Sequence, residues 1–175
     1  NPVLFLLGTV IKVFLLRSLN PSGDANYSDA NYKRSGDAAE VKGNFSYFVN
    51  GNEILNQDIG MRIHGGATRV FPNKSIRIYA RSEYGNNNFN YPFFNDVPDL
   101  SFKPLILRNS GNDVYSTYFR DAFIHKTVSH LNLDTQAYQP TVVFLNSEYW
   151  GLLNLRERYD KHYFNRVYGI EETEL

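Results

Sequence analysis

The stretch Asp58–Arg81, DIGMRIHGGATRVFPNKSIRIYAR, decides how the rest of the chain is read. Met61 and Ile63 alternate with Arg62 and His64, and Ile76 and Ile78 alternate with Ser75, Arg77 and Tyr79. A period of two marks half-buried strands, so the two arms predict a hairpin. The segment between them, Gly65 to Asn73, is long and basic for a turn. Such a loop can lay backbone N–H groups and cationic side chains against an anion. Gly65, Gly66, Arg69 and Lys74 are therefore candidate phosphate-binding residues. Lys74 opens the second arm on the face of Ile76, and a cation held inside a sheet needs an anionic partner, a nucleotide phosphate or a helix carboxylate. A purely structural basic loop explains the same residues, and both readings stay open at this point.

Outward from the hairpin, strands continue. Val41–Val49 alternates, and Asn50-Gly51 is a hairpin signal suited to positive φ. Glu53–Ile59 leads back into the first arm, which extends the hairpin to an antiparallel meander. Beyond it, Ser82–Leu100 is a long, aromatic-dotted connection of the kind that closes over something; Phe89, Tyr91, Phe93 and Phe94 are expected to tuck it down on the core, with a stacking platform for sugar or base as the alternative. Lys103–Asn109 reads as a strand, and Asn112–Leu131 as a helix capped by Asp113 or Ser116. Phe119, Ala122, Phe123, Lys126, Thr127 and His130 are expected on one face of that helix. Arg120 and Asp121 are adjacent on it and face different directions, so one of them can point into a site; a capping or surface charge explains the pair equally well. Gln136–Asn146 and Tyr149–Leu155 read as a strand pair. A last helix follows, capped by Asp160 and stopped by Gly169.

The whole chain bounds the chemistry. At 175 residues it is long enough for one domain. Lysine plus arginine equals aspartate plus glutamate at 18 each, so no global field points to nucleic acid. There is no cysteine, which excludes disulfides and cysteine-based nucleophiles or zinc sites without fixing the compartment. Val3–Leu16 is apolar but too short to span a bilayer, and it lacks the flanks of a signal peptide. A buried strand or short helix is expected there. Asn20–Asp37 reads as a loop whose Asp24, Asp29 and Asp37 do not have EF-hand spacing. His64, His125, His130 and His162 form no HExxH pattern, and no GxSxG, Walker A or GxGxxG motif is present.

Three stretches then align with something known: GMRIHGGATRVFPNKSIRIYAR; LILRNSGND followed by FRDAF; and LDTQAYQPTVVFLNSEYWGLLNLRERYDKHYF. Together they resemble the CotH family, the spore-coat H proteins and their wider relatives, regarded as atypical secreted protein kinases. The resemblance covers about Val41 to Ile170. It implies an α+β fold, an antiparallel sheet with flanking helices like the amino-terminal lobe and hinge of a divergent protein kinase. Residues 41–175 would be the N-terminal part of that domain, and residues 1–40 an extension. Lys74 would contact ATP phosphate, with Gly65, Gly66 and Arg69 beside it. Glu157, in a hinge at Arg156–Asp160, would line the adenine edge, with Arg108, Asn112, Arg120 and Asp121 in support. ATP and Mg2+ are the implied cofactors. The catalytic and magnesium-binding acids are expected beyond Leu175, in a C-terminal half that the chain would partner, so the chain alone is expected to be inactive. The implied substrate is serine or threonine of a surface or coat protein, outside the cell. The competing expectation is a non-catalytic surface or spore-coat module that grips carbohydrate or protein through the aromatic Ser82–Leu100 loop.

Overall fold

The computed structural model describes residues 2–7 and 31–174. Nine strands run in chain order: β1 (Pro2–Leu7), β2 (Val41–Val49), β3 (Asn52–His64), β4 (Ser75–Tyr79), β5 (Phe89–Asn90), β6 (Ser101–Phe102), β7 (Pro104–Arg108), β8 (Tyr138–Leu145) and β9 (Glu148–Glu157). Two helices, α1 (Arg120–Val128) and α2 (Lys161–Tyr168), complete it. Seven strands close into a barrel in the order β1-β2-β3-β4-β7-β9-β8, and β5 and β6 form a separate small pair.

This architecture corrects the α+β expectation. The described chain is mostly β, a closed barrel with two short helices, and not an open kinase-like lobe with flanking helices. The difference lies in β1. Its apolar residues pair antiparallel with β2 and parallel with β8, Val3 beside Val142 and Leu4 beside Val143. That pairing joins ends of the chain more than a hundred residues apart, and no local pattern encodes it. A closed sheet leaves no edge strand to expose. The remainder of the Val3–Leu16 expectation, and Asp24 and Asp29 of the loop, lie outside the described residues.

The opening hairpin forms as its alternation requires. Met61 faces Ile78 and Ile63 faces Ile76 across β3 and β4, while Arg62 faces Arg77 on the other side. The inward set continues around the barrel with Phe45, Leu105, Leu107, Leu155 and Val143, all buried. Asn50 and Gly51 both have positive φ, 52° and 82°, which turns β2 into β3. Phe89, Phe93 and Phe94 of the long connection are buried in the core cluster. Phe89 and Phe93 pack on Phe45 and Tyr47 of β2, so these rings tuck the connection down on the core as expected.

The expected Asn112–Leu131 helix is shorter. Ser110 and Tyr118 take left-handed φ values of 66° and 69°, which no helix interior accepts. Asp113 instead accepts hydrogen bonds from the N–H of Thr117 at 3.2 Å and of Arg120 at 3.0 Å, so the helix begins at Arg120. Its expected apolar face is also revised. Only Ala122 is buried, and Phe119 and Phe123 are about half exposed. Polar contacts hold α1 to the barrel wall, as described below. In α2, by contrast, the Asp160 carboxylate caps the N–H groups of His162 and Tyr163, and Gly169 ends the helix at φ 67°.

Candidate functional site

The loop between β3 and β4 starts at Gly65, whose φ of 111° excludes a side chain without strain. Residues Ala67–Val70 make a short 3-10 turn, and Arg69 folds back over it. Its Nε donates to the carbonyl of Gly65, and its Nη1 donates to the carbonyls of Tyr32 at 3.1 Å and Arg34 at 2.7 Å. No carboxylate among the described residues pairs with Arg69. Gly65, Gly66, Arg69, Lys33 and Ser35 line an open depression of about 620 Å³. At the far end the loop is fixed. Asn109 Nδ2 donates to the Asn73 carbonyl at 2.6 Å, Asn73 Nδ2 donates to Tyr118 Oη at 2.8 Å, and Trp150 Nε1 donates to the Lys74 carbonyl at 3.4 Å.

Lys74, immediately before β4, is 5 % exposed. Its Nζ donates to the Phe71 carbonyl at 2.8 Å and sits 4.4 Å from the centre of the Tyr32 ring. Arg69 and Lys74 thus converge on Tyr32, and the 31–34 segment is bound to the loop through both.

Glu157 is elsewhere. By strand parity it faces inward, level with Ile78, four residues along from Lys74 and two strands across, a separation of about 13 Å along the strands and about 10 Å across them. Ile76, Ile78, Leu105 and Leu107 fill the space between. Its carboxylate pairs with Arg166, its carbonyl accepts from Gln136 Nε2 at 3.0 Å, and it lines a separate cavity of about 210 Å³ with Arg158, Asp160 and Tyr163. The structure therefore brings Gly65, Gly66, Arg69 and Lys74 together and leaves Glu157 apart from them.

The supporting residues divide in the same way. Arg108 Nε donates to Asp121 Oδ2 at 2.7 Å, and Arg156 Nη1 donates to the same oxygen at 3.1 Å. Asp121 is therefore the α1 residue that points to the barrel wall. Burial alone would raise its carboxyl, but Arg156 and Arg108 outweigh that and hold it below its ordinary value. Arg120 turns outward, to Ser116 Oγ at 3.2 Å and Asp113 at 3.3 Å. Asn112 is exposed on the turn Gly111–Asp113.

Three groups escaped the sequence reading. Arg156 is fully buried on the outer barrel face, and its Nη2 donates to His125 Nδ1 at 3.0 Å. Glu40 accepts from Arg62 Nε at 2.6 Å, Arg81 Nε at 2.8 Å and Tyr84 Oη at 3.0 Å, which clasps the segment before β2 to β3. Arg77 donates from Nη2 to His64 Nδ1 at 2.8 Å and from Nη1 to Tyr79 Oη at 3.0 Å. The alternation of the opening hairpin already set His64, Arg62 and Arg77 on one face. The partners of Glu40 and Arg156 lie too far along the chain for any local signal.

No cluster of three or more histidine, aspartate or glutamate side chains among the described residues is placed to hold a metal ion. No helix there is long and apolar enough to cross a membrane.

Compared with known protein families, residues 61–174 match the family described as CotH kinase protein. No curated protein matches the chain. The match begins at Met61 in β3, takes in the Gly65–Lys74 loop, the Arg108–Asp121–Arg156 junction and both helices, and covers well over half of the chain. The chain belongs to the CotH kinase protein family.

Proposed function

We propose that the chain binds ATP through the Gly65–Lys74 loop as part of a protein kinase that transfers the γ-phosphate to serine or threonine of a surface or coat protein outside the cell. One observation carries this reading. A glycine loop, open to solvent at Gly66, presents Arg69 beside a depression of about 620 Å³ with no carboxylate on Arg69 among the described residues. A guanidinium in that setting is suited to an oxyanion. Lys74 supports the loop from below, through Phe71 and Tyr32, and adds positive charge to it.

In this reading residues 41–175 supply the N-terminal part of the kinase domain, and the acids that bind magnesium and receive the substrate proton belong to another part of the same protein. The residues of this chain hold and orient the phosphates; phosphoryl transfer depends chiefly on such positioning and on charge stabilisation. The test is transfer of label from γ-labelled ATP to a serine- and threonine-bearing protein substrate by the natural protein that contains this chain. Labelling should fall at least about tenfold in Arg69→Ala and in Lys74→Ala. Labelling that survives both substitutions removes the loop from the reaction.

A further inference from the structure

The outer face of the barrel carries a row of arginines. Arg62 on β3 faces Arg77 on β4, Arg77 faces Ile106 on β7, and Ile106 faces Arg156 on β9. Two of the three are answered by carboxylates. Arg62 pairs with Asp37 at 2.5 Å and Glu40 at 2.6 Å, and Arg156 with Asp121 at 3.1 Å. Arg77, between them, meets only the neutral His64 and Tyr79, and its buried Nε has no partner among the described residues. A partly buried guanidinium without a counter-charge is costly, and like charges across the strand from it add to the cost.

The excess is local. Arg69, the other arginine here without a carboxylate among the described residues, is close enough that the charge of Arg77 opposes its own. Nearby Arg158 has Asp160, while Arg108 shares the single carboxylate of Asp121 with Arg156. Arg69 and Arg77 are left without a carboxylate among the described residues, a setting suited to an oxyanion that both can reach. His64 adds a neutral donor. Because Nδ1 accepts from Arg77, the ring proton resides on Nε2, whose N–H is free to serve an oxyanion.

We infer that Arg77 and His64 form a second phosphate contact, on the outer barrel face next to the Gly65–Arg69 loop, and that the two guanidinium groups share one phosphate-bearing ligand. The ligand chemistry is a phosphate oxyanion, delivered by a nucleotide or by free polyphosphate. Its identity as a nucleotide rests on the function proposed above; the anion site itself does not.

Calorimetric titration of the chain with tripolyphosphate and, separately, with ATP tests this. The inference expects saturable tripolyphosphate binding that weakens by about tenfold or more in Arg77→Gln and is partly restored in Arg77→Lys. Circular dichroism melting establishes that both variants fold. The ring signals of His64 should shift on tripolyphosphate addition and not in Arg77→Gln. Tripolyphosphate binding that depends on Arg77, with no tighter binding of ATP, keeps the site and removes the nucleotide. ATP binding that depends on Arg69 and ignores Arg77→Gln keeps the proposed function and overturns this site. Binding of neither anion overturns both.

Discussion

Arg77 Nη2 lies 2.8 Å from His64 Nδ1, diagonally across β3 and β4 on the outer barrel face. Burial first, then the charges of Arg77, Arg108, Arg158 and Arg69, push the His64 imidazole down to about 4 from its ordinary 6.5. The folded state therefore binds the proton less readily than the unfolded chain. The stability at stake is fully present above the unfolded value and is lost as pH falls from 6.5 toward 4, by at most about 3 kcal/mol. Histidine ring shifts followed by NMR should place His64 near 4, and Arg77→Gln should raise it. A value above 6 in the native chain would show that the imidazole does not sit in this field.

Asp121 serves two arginines, one of them fully buried. Asp121→Ala leaves Arg156 with His125 and the Gln136 carbonyl, neither of them charged in opposition. Removal of one partner from such a pair costs about 3 kcal/mol, moderated by the partial exposure of Asp121. Urea unfolding should show a lower midpoint, and the double variant Asp121→Ala/Arg156→Met should recover part of the loss. A midpoint unchanged in the single variant would mean that α1 is not anchored there.

Barrel closure rests on Leu4, which is fully buried and lies between Tyr47 of β2 and Val143 of β8. Leu4→Ala should cost about 3 kcal/mol by transfer and cavity terms. Hydrogen exchange should accelerate in β2 and β8 together, because β1 is bonded to both. Exchange that rises in neither strand contradicts the closed barrel.

The legible part of this fold is its local part. Alternation placed β2, β3, β4 and their two faces, and the Asp160 and Gly169 signals bounded α2. The closing strand was not legible, since an apolar run such as Pro2–Leu7 fits a strand or a helix and does not announce a parallel partner near Val142. The length of α1 was misread because Tyr118, at φ 69°, carries no sequence mark of a left-handed residue. For the site, the glycine loop could be read from Gly65, Gly66, Arg69 and Lys74. Glu157 could not be placed, because its distance from the loop depends on how β7 and β9 follow β4. Arg77 was visible in the alternation, and only the absence of a facing carboxylate, a tertiary fact, singles it out.

Phe93 packs against Phe45, Tyr47, Phe89, Tyr91, Phe94 and Phe102. It is the centre of the plug that the long connection inserts into the core. Phe93→Ala should destabilise the chain by roughly 3–5 kcal/mol. Limited proteolysis should then cut within Ser82–Leu100, while the wild-type chain resists. Equal resistance would show that the connection is held by other means.

Equilibrium binding of ATP to the chain tests the account most directly, measured by calorimetry for the wild type and for Arg69→Ala. The account predicts saturable binding by the wild type, weakened by about tenfold or more when the loop loses its guanidinium. No binding by the wild type, or binding of equal strength in both proteins, would contradict it.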